Sequence, residues 1–257
     1  MSNYLVSDTD LGAIADAIRA KSGGSGQLAF PAGFVSEIGD IPSDTPIYGL
    51  ASLTAWSSGV SGKTELIAKL PDLAHLTLPD TSTVTLTKID IQCGTNSVEL
   101  ISGCSSTKNG GALKTVDLHG ARAYLPSSGT GLRYRTNLET INAKVRVYTT
   151  NTNNQFTGAT KLKTIFFQEN AQDISVNISA CPLSNESLVS LANGLKLGAT
   201  SSTLALSSSR KSTAQSMLGT VSTVGSGADA YEIFTPDENG DTTLAQFITI
   251  NKGWTLS

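Results

Sequence analysis

Between residues 66 and 180 the apolar positions keep returning to one phrase. It is a Leu, two further residues, an Ile or Val, one residue, and another apolar one. TKLKTIFF carries it with Leu162, Ile165 and Phe167; LETINAK with Leu138, Ile141 and Ala143; LKTVDLHG with Leu113, Val116 and Leu118; LTKIDIQ with Leu86, Ile89 and Ile91. This is neither the spacing of an amphipathic helix nor clean alternation. The leading leucines lie 27, 25 and 24 residues apart, a period that predicts a solenoid of stacked coils. The last two apolar residues sit two apart on a short strand and point inward, and the leading Leu points inward from the turn entering that strand. LAHLTLP, with Leu73, Leu76 and Leu78, lies only 13 residues before the next match and reads as a flanking strand.

The residues between the apolar ones face out in columns. One column is Lys88, Thr115, Thr140 and Thr164; the next is Asp90, Asp117, Asn142 and Phe166. Phe166 is a large apolar residue on a polar face, and the expectation is that a C-terminal cap covers it, because a solenoid end needs one. The return segments rhyme as well. Phe156 stands six residues before Leu162 and Leu132 six before Leu138, and LISGCSSTKNGGAL reads as the same segment with a Gly-rich insertion.

On either side the pattern changes. In DTDLGAIADAIRAKSGG, Leu11, Ile14, Ala15 and Ile18 follow helical spacing, with Asp8 or Thr9 as cap. FPAGFVSEIGDI predicts a second short helix with Pro31 near its first position. Leu11, Ile14, Ile18, Phe30, Phe34 and Ile38 are the candidate attachment or oligomerisation residues, since two short helices bury little alone. Pro42 and Pro46 mark a linker. From about 181, LSNESLVSLANGL predicts a helix capped by Ser184, STLALSSS and GWTLS predict strands, and PDENGD a turn. The expected fold is α+β and β-rich: a helical module over 1–46, a leucine-rich-repeat-like solenoid over 47–180, and a C-terminal α/β cap over 181–257.

FTGATKLKTIFF, with LKTVDL and LETINA, resembles BspA-like leucine-rich repeats. Here only the QFTGA turn has the family's Phe and only ISGC its Cys. The N-terminal DTDLGAIADAIRAKSGGSGQLAFPAGFVSEI is similar to an element at the front of tail-associated proteins of phages and prophages of Gram-positive bacteria. The ending, LSNESLVSLANGL through INKGWTLS, is similar to the C-terminal cap of such proteins. The resemblance implies a non-catalytic virion structural protein of the tail tip, baseplate or fibre, assembled in the host cytoplasm. It would contact other virion tail proteins through the N-terminal module and bind the host surface as a homo-oligomer. A bacterial surface adhesin and a polysaccharide depolymerase are the alternatives.

Composition narrows the chemistry. Charged residues make up 15% and the net charge is −3, so no global field draws nucleic acid or an anionic membrane. No apolar run approaches the length of a spanning helix, so no membrane insertion is expected. The start MSNYLVSDTD has acid where an export leader is basic and then apolar, so export by the general secretory route is not expected. Cys93, Cys104 and Cys181 are too scattered for a disulfide framework or zinc site and read as small buried hydrophobes. Gly62-Lys63-Thr64 lacks the earlier Gly of a phosphate loop, with Ser57 in its place, and precedes at best a short helix. Asp237, Asn239 and Asp241 resemble the start of a calcium loop, but Thr242 and Ile248 stand where Gly and Glu are needed. His75 and His119 read as hydrogen-bonded structural residues. No catalytic residue, cofactor or metal site is expected. The remaining local bias is a cationic and aromatic span holding Arg122, Tyr124, Arg133, Tyr134, Arg135, Arg146 and Tyr148. These are the candidate ligand-binding surface, of a kind that suits an anionic host cell-wall glycopolymer.

Overall fold

The leading leucines sit where the phrase puts them. The computed structural model describes residues 8–25, 38, 46–53, 63–79, 85–102, 111–126, 132–148, 156–198 and 202–257. In it, parallel strands run β1 (Ser52–Leu53), β2 (Glu65–Leu70), β3 (His75–Thr77), β4 (Lys88–Cys93), β5 (Val98–Ile101), β6 (Thr115–Leu125), β7 (Thr140–Val147) and β8 (Thr164–Phe167). Leu86, Leu113, Leu138 and Leu162 each precede β4, β6, β7 or β8 by two residues, and none is more than 1% exposed. Just after each leucine a repeated bond joins the coils. The amides of Lys114 and Thr115 both donate to the Thr87 carbonyl, those of Glu139 and Thr140 to Lys114, and those of Lys163 and Thr164 to Glu139. One carbonyl of each coil thus serves two amides of the next.

Each early coil carries two strands. β2, β4 and the first half of β6 form one ladder; β1, β3, β5 and the second half of β6 form another. The corner between them shrinks along the chain. Residues 94–97 make it between β4 and β5, whereas in β6 it is a bulge between Asp117 and Arg122. His119 and Gly120 take positive φ there, at 52° and 72°, and the Asp117 carboxylate accepts the His119 amide at 2.8 Å. LAHLTLP is β3, the flanking strand expected of it.

Two expectations need correction. Glu65–Leu70 is a strand, not a helix, and it is a further coil: Leu66, Ala68 and Leu70 point inward. It was hidden because Lys63 stands where the leading Leu would be. A parallel strand after Gly62-Lys63-Thr64 also lacks the helix that a phosphate loop needs. The column Lys88–Thr115–Thr140–Thr164 holds, but Phe166 does not follow Asn142. The register shifts between Ile141 and Lys144, and Phe166 pairs with Lys144 instead.

The return turns share one backbone hydrogen-bond pattern. Leu132, Phe156 and Ile178 are buried at equivalent places. The Arg135, Ala159 and Cys181 amides donate back to them at 3.4, 3.0 and 3.0 Å. The inserted residues 103–110 lie outside the described residues.

After the third such turn, α2 (Asn185–Gly194) stands where another strand would pair with β8. Ser184 caps it, accepting from the Ser187 amide. The helix then supplies the bonds a strand would have made. Ser187 Oγ accepts the Ile165 amide at 3.0 Å and Ser190 Oγ the Phe167 amide at 2.8 Å. Asn193, one helical step further on the same face, bonds the amide and carbonyl of Phe234. A sheet edge that could recruit another chain is closed in this way. Gly194 allows the approach: a Cβ there would lie 2.9 Å from Phe167 Cβ. Ser187→Ala leaves a buried amide unpaired and is expected to lower stability by about 1–3 kcal/mol, measurable by urea denaturation.

The rest of the cap holds β9 (Val176–Asn177), β10 (Thr203–Ala205), α3 (Ser208–Ser216), β11 (Leu218–Val224), β12 (Tyr231–Pro236), β13 (Thr242–Thr243) and β14 (Thr255–Leu256). Lys252 is fully buried within it. Its Nζ donates to the Glu232 carbonyl at 2.6 Å and lies 5.2 Å from the Phe247 ring. Burial lowers its pKa from 10.5 to about 8, against the pull of Glu232 and Glu169. The unfolded chain therefore keeps this proton to higher pH, and the lysine's contribution to stability rises as pH climbs from 8 to 10.5. The burial of Cys93 and Cys181 pushes both thiols up to about 12, which acts in the opposite direction above pH 9. The lysine effect is therefore read by comparison with Lys252→Met. Wild type is expected to gain about 2–3 kcal/mol on that variant across the window, measured by denaturation at each pH.

At the other end, α1 (Asp8–Ser22) forms as expected. Ile14 is half-buried, while Ile18 and Ile38 are buried within the single chain. Those two are core residues and not an exposed oligomerisation face. Leu11 lies in α1; Phe30 and Phe34 lie outside the described residues.

Candidate recognition face

Alternation along β6 and β7 sends Ala123, Leu125, Val145 and Val147 inward and leaves Tyr124 and Arg146 outward, paired across the ladder. Tyr148 follows β7, held by its amide donating to the Leu125 carbonyl at 2.9 Å. It meets Tyr124 edge to face, with ring centres 5.6 Å apart at 89°. The Arg146 guanidinium lies 4.3 Å from the Tyr148 ring centre and donates to Asp173 at 3.1 Å. Ser97, Tyr124, Pro126, Tyr148 and Gln168 line a depression of about 420 Å³, and Tyr148 is 44% exposed. Burial first, then the Glu99 charge and Tyr148, push the Tyr124 phenol up.

The predicted surface therefore divides. Tyr124, Arg146 and Tyr148 come together. Arg122 is exposed beside Lys144, its partner in register. Arg133 and Tyr134 form a pair of their own on a return turn, with a 2.9 Å bond to the phenol oxygen and 5.0 Å to the ring centre. Arg135 is not on the surface at all. Fully buried, it donates to the carbonyls of Leu78, Pro79 and Ser102 and to Ser102 Oγ. It fills the place that Ala159 and Cys181 take in the later turns. Gln168 and Asp173 were missed. Gln168 follows β8 one coil beyond Arg146, so alternation could have found it; nothing local marks Asp173.

Phe166 lines a second cavity, a groove of about 670 Å³ between the solenoid and its cap. Asn142 and Lys144 flank it on one side, and Glu186, Val189 and Met217 on the other. The cap forms the opposite wall, and Phe166 remains half-buried.

Asp90, Asp117 and His119 offer ligand atoms within 4.8 Å of one another, but these atoms are engaged. Asp90 accepts from His119 Nε2 at 2.6 Å and pairs with Lys88 at 2.7 Å. Asp117 accepts from the His119 amide and from Asn142, each at 2.8 Å. Burial works to raise the Asp90 pKa, yet its bonds to Lys88 and His119 outweigh it and leave the carboxyl below its ordinary value. The cluster locks neighbouring columns together, with the Lys88 ammonium already supplying the cation. His75 is bonded to Glu99 at 2.6 Å in the same cross-coil manner. Asp237 accepts the Asn239 amide within a turn. Cys181 is buried and Cys93 half-buried, both as free thiols; Cys104 lies outside the described residues. Among those residues no helix is long and apolar enough to cross a membrane. No protein-family model, curated protein or solved structure matches this chain.

Proposed function

We propose that the chain is a non-catalytic structural protein of a phage tail whose solenoid presents a host-surface recognition face. The resemblance of its two ends to tail-associated proteins of phages of Gram-positive bacteria supports the tail assignment. The Tyr124–Arg146–Tyr148 cluster carries the recognition assignment. It places two aromatic rings, already packed edge to face, beside a concave opening on a parallel sheet, an arrangement suited to a small ligand.

The test uses the whole purified chain and cells of the host strain. Tyr124→Ala with Tyr148→Ala is expected to weaken cell binding by about tenfold or more, or ~1.4 kcal/mol, while the melting temperature holds. Undiminished binding by the double variant would remove the recognition face. Gold-labelled antibody against the chain should mark the tail of intact particles; particles without label on the tail would end the tail assignment.

A further inference from the structure

The arginine-rich span suggests an anionic ligand, but the charged groups around the Tyr124–Tyr148 depression already have partners within the chain. Arg146 is bonded to Asp173 at 3.1 Å and stacked on Tyr148. Glu99, in register with Tyr124, is held by His75 at 2.6 Å. An incoming phosphate or carboxylate would compete with Asp173 for Arg146 and would face the carboxylates of both Asp173 and Glu99. Desolvating an anion against like charge is unfavourable.

Arg146 Nε has no partner but is buried, and the unpaired groups that line the depression are neutral. The phenol oxygens of Tyr124 and Tyr148, the Ser97 hydroxyl and the Gln168 side-chain carbonyl have no partner among the described residues, while the Gln168 amide nitrogen donates to the Ala123 carbonyl. Hydroxyls give and take hydrogen bonds with sugar hydroxyls, and an amide oxygen accepts them. Aromatic rings offer flat apolar area to the C–H face of a pyranose. The opening of about 420 Å³ lies within the range of small-ligand sites.

We propose that this depression binds an uncharged saccharide, a hexose or N-acetylhexosamine unit of a surface polymer, and not a polyanion. The biological sense of this rests on the recognition reading above; the binding chemistry does not. In this picture Arg146 acts as a strut, with Asp173 fixing the guanidinium that supports Tyr148.

The experiment applies the whole chain to arrayed neutral hexose and N-acetylhexosamine oligosaccharides, beside uronate-, phosphate- and sulfate-bearing ones, at low and high salt. Binding is expected on neutral sugars, changing less than about threefold between the two salt conditions because no ion pair is made. Tyr148→Ala should lower it by about tenfold or more. Asp173→Asn, which frees the Arg146 charge, should add binding to acidic sugars. Binding confined to acidic sugars, with a steep fall at high salt, overturns the proposal, as does a lack of binding to every neutral sugar. If wild type binds only acidic sugars while the double tyrosine variant still loses host cells, the ligand class is wrong and the recognition face stands. If the double variant binds cells normally, the face itself falls.

Discussion

Arg135→Leu is expected to destabilise the chain by about 3–5 kcal/mol without acting through a ligand. The guanidinium is fully buried and reaches carbonyls at the ends of β3 and β5, on coils other than its own. Hydrogen bonds from a charged donor contribute about 1.5–3 kcal/mol each, and orphaned buried acceptors cost about 1–3 kcal/mol each. Leu restores apolar volume but no donor, so the carbonyls of Leu78, Pro79 and Ser102 all lose a partner. Urea denaturation measures the loss. Arg122→Ala, at an exposed position, should stay within about 0.5 kcal/mol. If Arg135→Leu instead keeps full stability and loses only cell binding, the residue belongs to the surface and not to the core.

Leu138→Ala is expected to cost about 3–4 kcal/mol. Leu138 is fully buried and lies between the coils of Leu113 and Leu162. Strand bonds on both sides fix the coil spacing, so the cavity cannot close by letting the coils settle. In a stack where each coil supports its neighbours the loss also lowers cooperativity, which would show as a smaller denaturant slope. Leu197→Ala, at a position 56% exposed, should change little.

The ladder was legible because its phrase is written in full four times. It faded where a single residue broke the phrase. Lys63 in the leading position hid the β2 coil, although Leu66, Ala68 and Leu70 alternate as a strand should. Phe166 was placed two residues out of register because a shift between Ile141 and Lys144 leaves no mark in composition. Arg135 was misread for a more instructive reason. Its setting, GLRYRTNL, is basic and aromatic and looks like a solvated face. Yet the six-residue spacing that pairs Leu132 with Phe156 also sets Arg135 on Ala159, a small inward position. Reading the turns against each other would have buried it. Of the recognition face, the alternation of β6 and β7 gave Tyr124 and Arg146. The ion pair that neutralises Arg146 depends on Asp173, 27 positions away, and only folding brings it there.

The recognition face exists only if the coils stack in register, and paired cysteines test that most directly. In a background with Cys93, Cys104 and Cys181 replaced by Ala, Thr140→Cys with Thr164→Cys places thiols on adjacent coils. Thr115→Cys with Thr164→Cys places them two coils apart. Strand spacing sets Cα separations of about 4.8 Å and about 9.6 Å, and only the first lies within disulfide reach. Mild oxidation should close an intramolecular bridge in the adjacent pair and leave the separated pair as free thiols. Bridging of the separated pair as readily as the adjacent one, or of neither, would contradict the stack.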